Sequence, residues 1–146
     1  MNKKDPPLEI LLVDDDKGDI DLSMEILNES KIYLNITALQ SGEEALSYLN
    51  KKAGYENSST PDLILLDLNM PKMSGIEVLQ IIKKDNKLKK IPVVILTTSK
   101  DENDVARTYI LGANCYITKP VGLEEFQKVV ETIDSFWFTI VKFPPK

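Results

Sequence analysis

Four stretches decide the fold of this 146-residue chain: ILLVDDD (Ile10 to Asp16), LILLD (Leu63 to Asp67), VVILT (Val93 to Thr97) and CYITKP (Cys115 to Pro120). Each stretch is an apolar run with polar residues at its end. If the four runs are parallel strands, their polar ends emerge at one edge of one sheet, where helix N-termini and loops present groups to a ligand. Carboxylates, a hydroxyl and an ammonium would then share one crevice. That combination suits a divalent metal and a phosphoryl group.

Length and composition predict one domain with a full core, since the chain has 146 residues and is 42% hydrophobic. The single cysteine, Cys115, excludes an internal disulfide, and the N-terminal segment MNKKDPP has no apolar stretch typical of a secretory signal. No apolar run approaches the roughly 20 residues of a membrane helix. We therefore expect a cytoplasmic protein. A net charge of −5 argues against general affinity for nucleic acid or anionic membrane.

Strand and helix patterns alternate along the chain, which is typical of a parallel sheet with helices on both faces. The predicted strands are Leu8 to Asp14, Tyr33 to Leu39, Leu63 to Asp67, Ile91 to Thr97 and Asn114 to Thr118. The predicted helices are about Gly18 to Glu29, Gly42 to Lys52, Gly75 to Asp85, Glu102 to Leu111 and Leu123 to Phe138. Right-handed crossovers between the strands predict a doubly wound α/β fold with five parallel strands.

Capping boxes mark three of the predicted helix starts. In each, a serine is followed three residues later by a glutamate, so that both side chains satisfy free amides of the first turn. The pairs are Ser41 with Glu44, Ser74 with Glu77, and Ser99 with Glu102.

The carboxylates at two strand ends predict a metal site. Asp14, Asp15 and Asp16 are consecutive, so one or two of them would reach the crevice beside Asp67. Crowded carboxylates resist ionisation unless a cation lies among them. Mg²⁺ is the natural ion, because it prefers hard oxygen ligands and binds through few carboxylates together with phosphate oxygens. The alternative interpretation of these residues is a turn or a helix cap.

Thr97 and Lys119 add a hydroxyl and a cation to the same predicted edge. Taken singly, Thr97 is a common β-branched strand residue and Lys119 an ordinary surface lysine. Lys119 lies directly between an apolar run and a proline, however, which would hold its ammonium at the strand end as a charge partner for a phosphoryl group. The ordered set of all four residue types favours the joint interpretation.

Together these motifs resemble the receiver domains of two-component response regulators, and the resemblance covers essentially the whole chain, from LLVDDD through DLNMP (Asp67 to Pro71) and Thr97 to the Lys119-Pro120 pair. It implies the flavodoxin-like (βα)5 topology with strand order 2-1-3-4-5. It also implies that Asp67 is the phosphoacceptor for a phosphohistidine, and that Mg²⁺ is held by Asp14, Asp15, Asp67 and the backbone carbonyl of Asn69.

The same resemblance assigns roles to the remaining residues of the predicted site. Thr97 and Lys119 would stabilise the phosphoryl group, and Thr97 with Tyr116 would form the switch pair. The bond between Lys119 and Pro120 would be cis. Thr98 is larger than the Ala or Gly often found at its position. Asn69 and Ser99 occupy positions that tune dephosphorylation in the family.

The C-terminal region carries an aromatic cluster beyond the predicted domain core of about residues 8–134. Apolar residues form one broad helical stripe, and Phe138 lies off it. The stripe comprises Leu123, Phe126, Val129, Val130, Ile133, Phe136, Trp137, Ile140 and Val141. We expect the extension, about residues 135–146, to pack through Phe136, Trp137 and Phe138 on a second copy or a partner. The alternative is that it folds back over its own sheet.

Together, these expectations predict a stand-alone response regulator in which residues 1–146 form a single receiver domain. We expect it to catalyse its own aspartyl phosphorylation and dephosphorylation. It would signal by contact with a protein partner or the next relay component. The aromatic tail and the NCYITKP segment are similar to single-domain regulators that partner phytochrome-type histidine kinases. The residues after Lys119 are too few for a helix-turn-helix, so no direct contact with DNA is expected. Two alternatives stay open. One is a phosphorylation-independent binding module, and the other is a phosphatase with an aspartyl nucleophile, although Asn69 stands where such enzymes usually place a second acid.

Overall fold

The computed structural model describes residues 6–146 and contains one five-stranded parallel sheet in the order β2-β1-β3-β4-β5. The strands are β1 (Leu8–Val13), β2 (Leu34–Leu39), β3 (Leu63–Leu66), β4 (Val93–Thr97) and β5 (Cys115–Thr118). The helices are α1 (Lys17–Leu27), α2 (Gly42–Leu49), α3 (Gly75–Lys84), α4 (Glu102–Ile110) and α5 (Leu123–Ile133). The predicted doubly wound α/β fold and strand order are confirmed. The expectation about the segment MNKKDPP concerns mostly residues 1–5, which lie outside the described residues.

The sheet is buried on both faces at its centre. Every residue of β3 and β4 is buried, as expected for apolar runs without polar alternation. Helices α2 and α3 cover one face, where they pack on alternate residues such as Leu11, Ile64 and Ile95. Helices α1 and α5 cover the other face, on residues such as Leu12 and Leu65. The carboxyl ends of the strands are thereby held in one layer.

Two of the three predicted helix caps are confirmed. The side chains of Ser41 and Ser74 accept hydrogen bonds from the backbone N–H groups of Glu44 and Glu77 at the starts of α2 and α3. The predicted cap at Ser99 is wrong. Asp101 caps α4 by accepting from Asn103 N, because a carboxylate one residue before the helix reaches its free amides directly.

The C-terminal helix does not continue as a regular α-helix to Phe138. After α5, residues Asp134–Phe138 form a π-helical turn. Such a turn has hydrogen bonds that span five residues instead of four, so it rotates the side chains that follow. Phe138 is consequently buried, with 5% of its surface exposed, whereas Phe136 is 48% exposed. The prediction that Phe138 lies off the apolar stripe is wrong, and so is its place in an interface with a partner.

The tail after this turn lies against its own domain. Phe143 packs on the same apolar cluster as α1 and α5. Lys90 Nζ donates to the carbonyl of Pro145 at 2.9 Å, and Lys146 Nζ lies 3.6 Å from Asp62 Oδ1. The alternative of a tail that folds back is therefore realised for this segment. Between residues 6 and 146, no helix combines the length and the apolar character that a membrane crossing needs.

Candidate functional site

The predicted site residues meet because the strands end at nearly the same level. Asp67 N donates to Val13 O at 2.9 Å, which places Asp67 beside the end of β1. On the other side, Lys119 N donates to Thr97 O at 2.6 Å, which places Lys119 beside the end of β4. The backbone ladder itself thus brings the ends of β1, β3, β4 and β5 to one crevice.

An acidic cluster lies in this crevice. Asp14, Asp15 and Asp67 each offer a carboxylate oxygen, and the three oxygens lie within 4.8 Å of one another. Asp14 and Asp67 are buried, while Asp15 is exposed. Asp16 points elsewhere and caps α1, accepting from Asp19 N at 3.1 Å. Within the aspartate triplet, Asp14 and Asp15 therefore fit the predicted metal site, whereas Asp16 fits the alternative interpretation of a helix cap. Three hard oxygens within reach of one another fit a divalent cation that retains some water.

Lys119 is buried and forms the cationic centre of the crevice. Its Nζ lies 2.5 Å from Asp14 Oδ2, 3.0 Å from Asp19 Oδ2 and 3.9 Å from Asp67 Oδ2. The predicted proximity of Lys119 to Asp67 is thus present. Asp19 was missed by the sequence analysis, because an acidic residue in the first turn of a helix is ordinarily explained by the helix dipole.

Burial and pairing shape the pKa values of the two central groups. Burial raises the pKa of Asp14 to about 6, although hydrogen bonds from Lys119 and from Asp16 N lower it. Burial alone lowers the pKa of Lys119, but its hydrogen bond to Asp14 and the charge of Asp14 more than offset burial, so the pKa is raised. At neutral pH the pair is therefore an ammonium with a carboxylate that gains protons unusually easily.

Asn69 connects the predicted phosphoacceptor to the predicted hydroxyl. Its backbone N–H donates to Asp67 Oδ1 at 3.4 Å, and its side-chain Nδ2 donates to Thr97 Oγ1 at 3.3 Å. The same amide donates to Thr98 Oγ1 at 3.4 Å, so the threonine that departs from the common family pattern also contacts the site. The role of the Asn69 carbonyl as a metal ligand stays a prediction.

Ser99 links the two members of the predicted switch pair. Its backbone N–H donates to Thr97 Oγ1 at 3.5 Å, and its carbonyl accepts from Tyr116 Oη at 2.9 Å. The ring of Tyr116 also packs against the apolar core beneath α2 and α3. The resemblance noted from the sequence suggests a different role for Ser99, in dephosphorylation. Its link between Thr97 and Tyr116 depends on tertiary contacts that the sequence does not reveal.

The predicted cis bond before Pro120 is wrong, because no peptide bond between residues 6 and 146 is cis. The trans form is intrinsically preferred before proline, by about 0.5 to 1 kcal/mol. Here the backbone bond of Lys119 to Thr97 and the ion pairs of its side chain are all made with a trans bond.

Comparison with known proteins identifies the family. A model of the response regulator receiver domain matches residues 10–131. This chain belongs to the response regulator receiver family. It is a receiver-domain response regulator of two-component signalling.

Similar proteins cover this receiver almost completely. Response regulator Rcp1 of Synechocystis sp. is 47% identical over 143 residues, which are 98% of this chain and 97% of Rcp1. A crystal structure of the Mn²⁺-bound form of Rcp1 has a TM-score of 0.93 and covers 95% of this chain and 100% of that one. The phosphorylated cyanobacterial phytochrome response regulator RcpA also has a TM-score of 0.93, at 44% identity, over 96% of this chain and 100% of that one. The predicted likeness to phytochrome-type regulators is thereby confirmed.

Proposed function

We propose that this receiver accepts a phosphoryl group on Asp67 from the phosphohistidine of a histidine kinase or phosphotransfer protein. It then signals by a change of shape to a protein partner or the next relay component. The main support for this proposal is the set of charged groups around Asp67. Its buried carboxylate lies within 4.8 Å of the carboxylates of Asp14 and Asp15 and 3.9 Å from the Lys119 ammonium.

The chemistry of the transfer follows from this arrangement. A carboxylate oxygen of Asp67 forms a bond to phosphorus as the bond between phosphorus and the histidine nitrogen breaks, and the imidazole keeps that electron pair. Phosphoryl transfer has a loose transition state, so the protein contributes mainly position and charge. Lys119 offsets charge on the transferring oxygens, and Thr97 can donate its hydroxyl hydrogen to one of them. The aspartyl phosphate is reactive enough to hydrolyse, which resets the receiver.

A divalent cation fits the acidic cluster, and we infer that it is Mg²⁺. Asp14, Asp15 and Asp67 would hold it with the carbonyl of Asn69. When bound, the cation neutralises charge on the phosphoryl oxygens and on the crowded carboxylates. The Mn²⁺-bound form of Rcp1 supports a divalent ion in this class of protein.

The switch would pass through Thr97, Ser99 and Tyr116. When the Thr97 hydroxyl turns toward a phosphoryl oxygen, it weakens its contact with Ser99 N. The Ser99 carbonyl, which holds the Tyr116 hydroxyl, moves with that segment. Phosphorylation is thereby converted into a change at the surface formed by α4 and β5.

We infer that the partners are cytoplasmic proteins and that residues 1–146 act as a single receiver domain. The likeness to RcpA and Rcp1 supports a phytochrome-type histidine kinase as the phosphoryl donor. Phe136 and Trp137 border an apolar groove of about 500 Å³ between β5 and α5, lined also by Ile117, Val129 and Ile133. We propose that this surface pairs with a second copy of the chain, since such exposed apolar patches mark interfaces.

The test of the central proposal is intact mass spectrometry after incubation with acetyl phosphate. We expect one phosphoryl adduct in the presence of Mg²⁺ and none after chelation. Asp67→Asn should abolish the adduct, whereas Asp21→Asn, a matched change at an exposed carboxylate of α1, should keep it. An adduct that persists in Asp67→Asn would contradict the proposal.

A further inference from the structure

Lys119 has a carboxylate partner that does not come from a strand end. Asp19 lies in the first turn of α1, and its Oδ2 accepts a hydrogen bond from Lys119 Nζ at 3.0 Å. The other hydrogen-bonded partner is Asp14, at 2.5 Å, while Asp67 at 3.9 Å is beyond hydrogen-bond distance. The ammonium therefore lies on the α1 side of the crevice, with two of its three N–H groups engaged.

Asp19 differs from Asp14 in what else it can bind. The carboxylates that come within reach of a single cation in the described chain are those of Asp14, Asp15 and Asp67, and Asp19 is not among them. Asp14 is shared between Lys119 and any ion in the cluster. Asp19 is thus the carboxylate whose contact within the site is with Lys119 alone.

The position of Asp19 is fixed by the helix start. Its backbone N–H is bound by the cap residue Asp16 at 3.1 Å, and the next residue, Ile20, donates to Asp16 O at 3.0 Å. The carboxylate projects from this first turn toward Lys119 and is 32% exposed, compared with 4% for Asp14. A fixed carboxylate next to water can hold the ammonium and also release it at low cost.

We propose that Asp19 is a positioning residue that competes with the phosphoryl group for Lys119. In the unphosphorylated receiver Asp19 holds the ammonium on the α1 side. A phosphoryl group on Asp67 carries more charge than a carboxylate and draws the ammonium away from Asp19. Asp19 thereby lowers the stability of the phosphorylated form relative to the unphosphorylated one. This inference rests on the proposed phosphorylation of Asp67.

The test uses beryllofluoride, which binds an aspartate oxygen as a mimic of the phosphoryl group. Its affinity is measured by calorimetry with Mg²⁺ present for the wild type, Asp19→Asn and the matched control Asp21→Asn. Asp21 is also on α1, but it is exposed and pairs with Lys17. We expect Asp19→Asn to bind about three- to tenfold more tightly, as loss of a partly exposed competing ion pair allows. Asp21→Asn should stay within about twofold of the wild type.

A second readout separates competition from a general effect of charge. The nitrogen-15 NMR signal of the Lys119 ammonium reports its partners directly. Before beryllofluoride is added, the signal of Asp19→Asn should differ from that of the wild type. After saturation the two signals should coincide, because Asp19 is no longer a partner in either protein.

The outcomes distinguish this inference from the proposed function. An unchanged affinity in Asp19→Asn, or Lys119 signals that differ as much after saturation as before, would overturn the role of Asp19 alone. Failure of the wild type to bind beryllofluoride, or binding that survives Asp67→Asn, would remove the proposed function and this inference with it.

Discussion

Asp14 is the residue at which the proposed metal binding and the stability of the fold are most directly linked. Its pKa rises from 3.8 to about 6 on folding because it is buried. Between these values the folded protein binds more protons than the unfolded chain, so stability falls as pH rises. The stabilising contribution is full below about pH 4 and is lost as pH passes through about 6. Without a bound cation, the negative charge of the buried Asp14 carboxylate at neutral pH therefore opposes folding.

Replacing Asp14 by Asn should remove this dependence on pH. With metal chelated, the free energy of unfolding of Asp14→Asn relative to the wild type should rise by roughly 2 to 3 kcal/mol from about pH 4 to about pH 8. Urea denaturation at several pH values measures it. Asp21→Asn, a change at an exposed carboxylate of α1, is the matched control for the loss of one negative charge. Parallel curves for Asp14→Asn and the wild type would contradict the raised pKa.

The pH dependence of Mg²⁺ binding should also report the protonation of Asp14. A proton on Asp14 competes with a cation, so Mg²⁺ affinity should fall by up to about tenfold per pH unit below about pH 6. Calorimetry in buffers of different ionisation enthalpy should detect protons released on binding near that pH. Asp14→Asn should bind Mg²⁺ weakly at every pH. Equal wild-type affinity at about pH 5 and about pH 7.5 would argue against Asp14 as a ligand.

Site residues could be predicted from the sequence where a strand placed them. Asp14, Asp67, Thr97 and Lys119 follow or end apolar runs, and parallel pairing alone brings such ends together. Asp19 could not be found this way, since its contact with Lys119 joins positions 100 residues apart and depends on the direction of a helix side chain. The hydrophobic pattern of the chain predicts which strand ends meet at one edge of the sheet. It does not predict which helix side chains contact the residues at that edge.

Helix boundaries, like site residues, could be predicted only where they depend on residues close together in the sequence. The serine caps at Ser41 and Ser74 could be predicted from the sequence, because a cap involves only residues that are neighbours in the chain. The end of α5 was not predictable in this way. A helical stripe assumes 3.6 residues per turn, and the π-helical turn at Asp134–Phe138 breaks that period. Burial of Phe138 in the core beside α1 and α5 is the consequence.

The π-helical turn predicts unequal losses of stability for substitutions at two nearby aromatic residues. Phe138→Ala should lower the free energy of unfolding by about 3 to 4 kcal/mol, because it leaves a cavity in the core. Phe136→Ala should cost less than about 1 kcal/mol, because Phe136 is 48% exposed. Urea denaturation of both variants measures the difference. Equal costs, or a larger cost at Phe136, would show that the helix continues with its regular period.

For the molecule as a whole, the proposed pairing with a second copy depends on the apolar surface around Phe136. Truncation after Asp134 would remove Phe138 from the core, so a single substitution at the surface is the cleaner probe. We expect the wild type to sediment as a concentration-dependent dimer and Phe136→Asp to sediment as a monomer. The reason is that a buried charge without a partner strongly opposes pairing.

The matched control for this experiment lies on the opposite face of the sheet. Ile81 of α3 is 43% exposed, close to the 48% of Phe136, so Ile81→Asp introduces the same charge at a similar apolar position. Because α3 covers the face away from α5, Ile81→Asp should still form the dimer. If both variants dissociate, the effect is one of net charge. If the wild type is a monomer at every accessible concentration, the groove between β5 and α5 does not pair with a second copy.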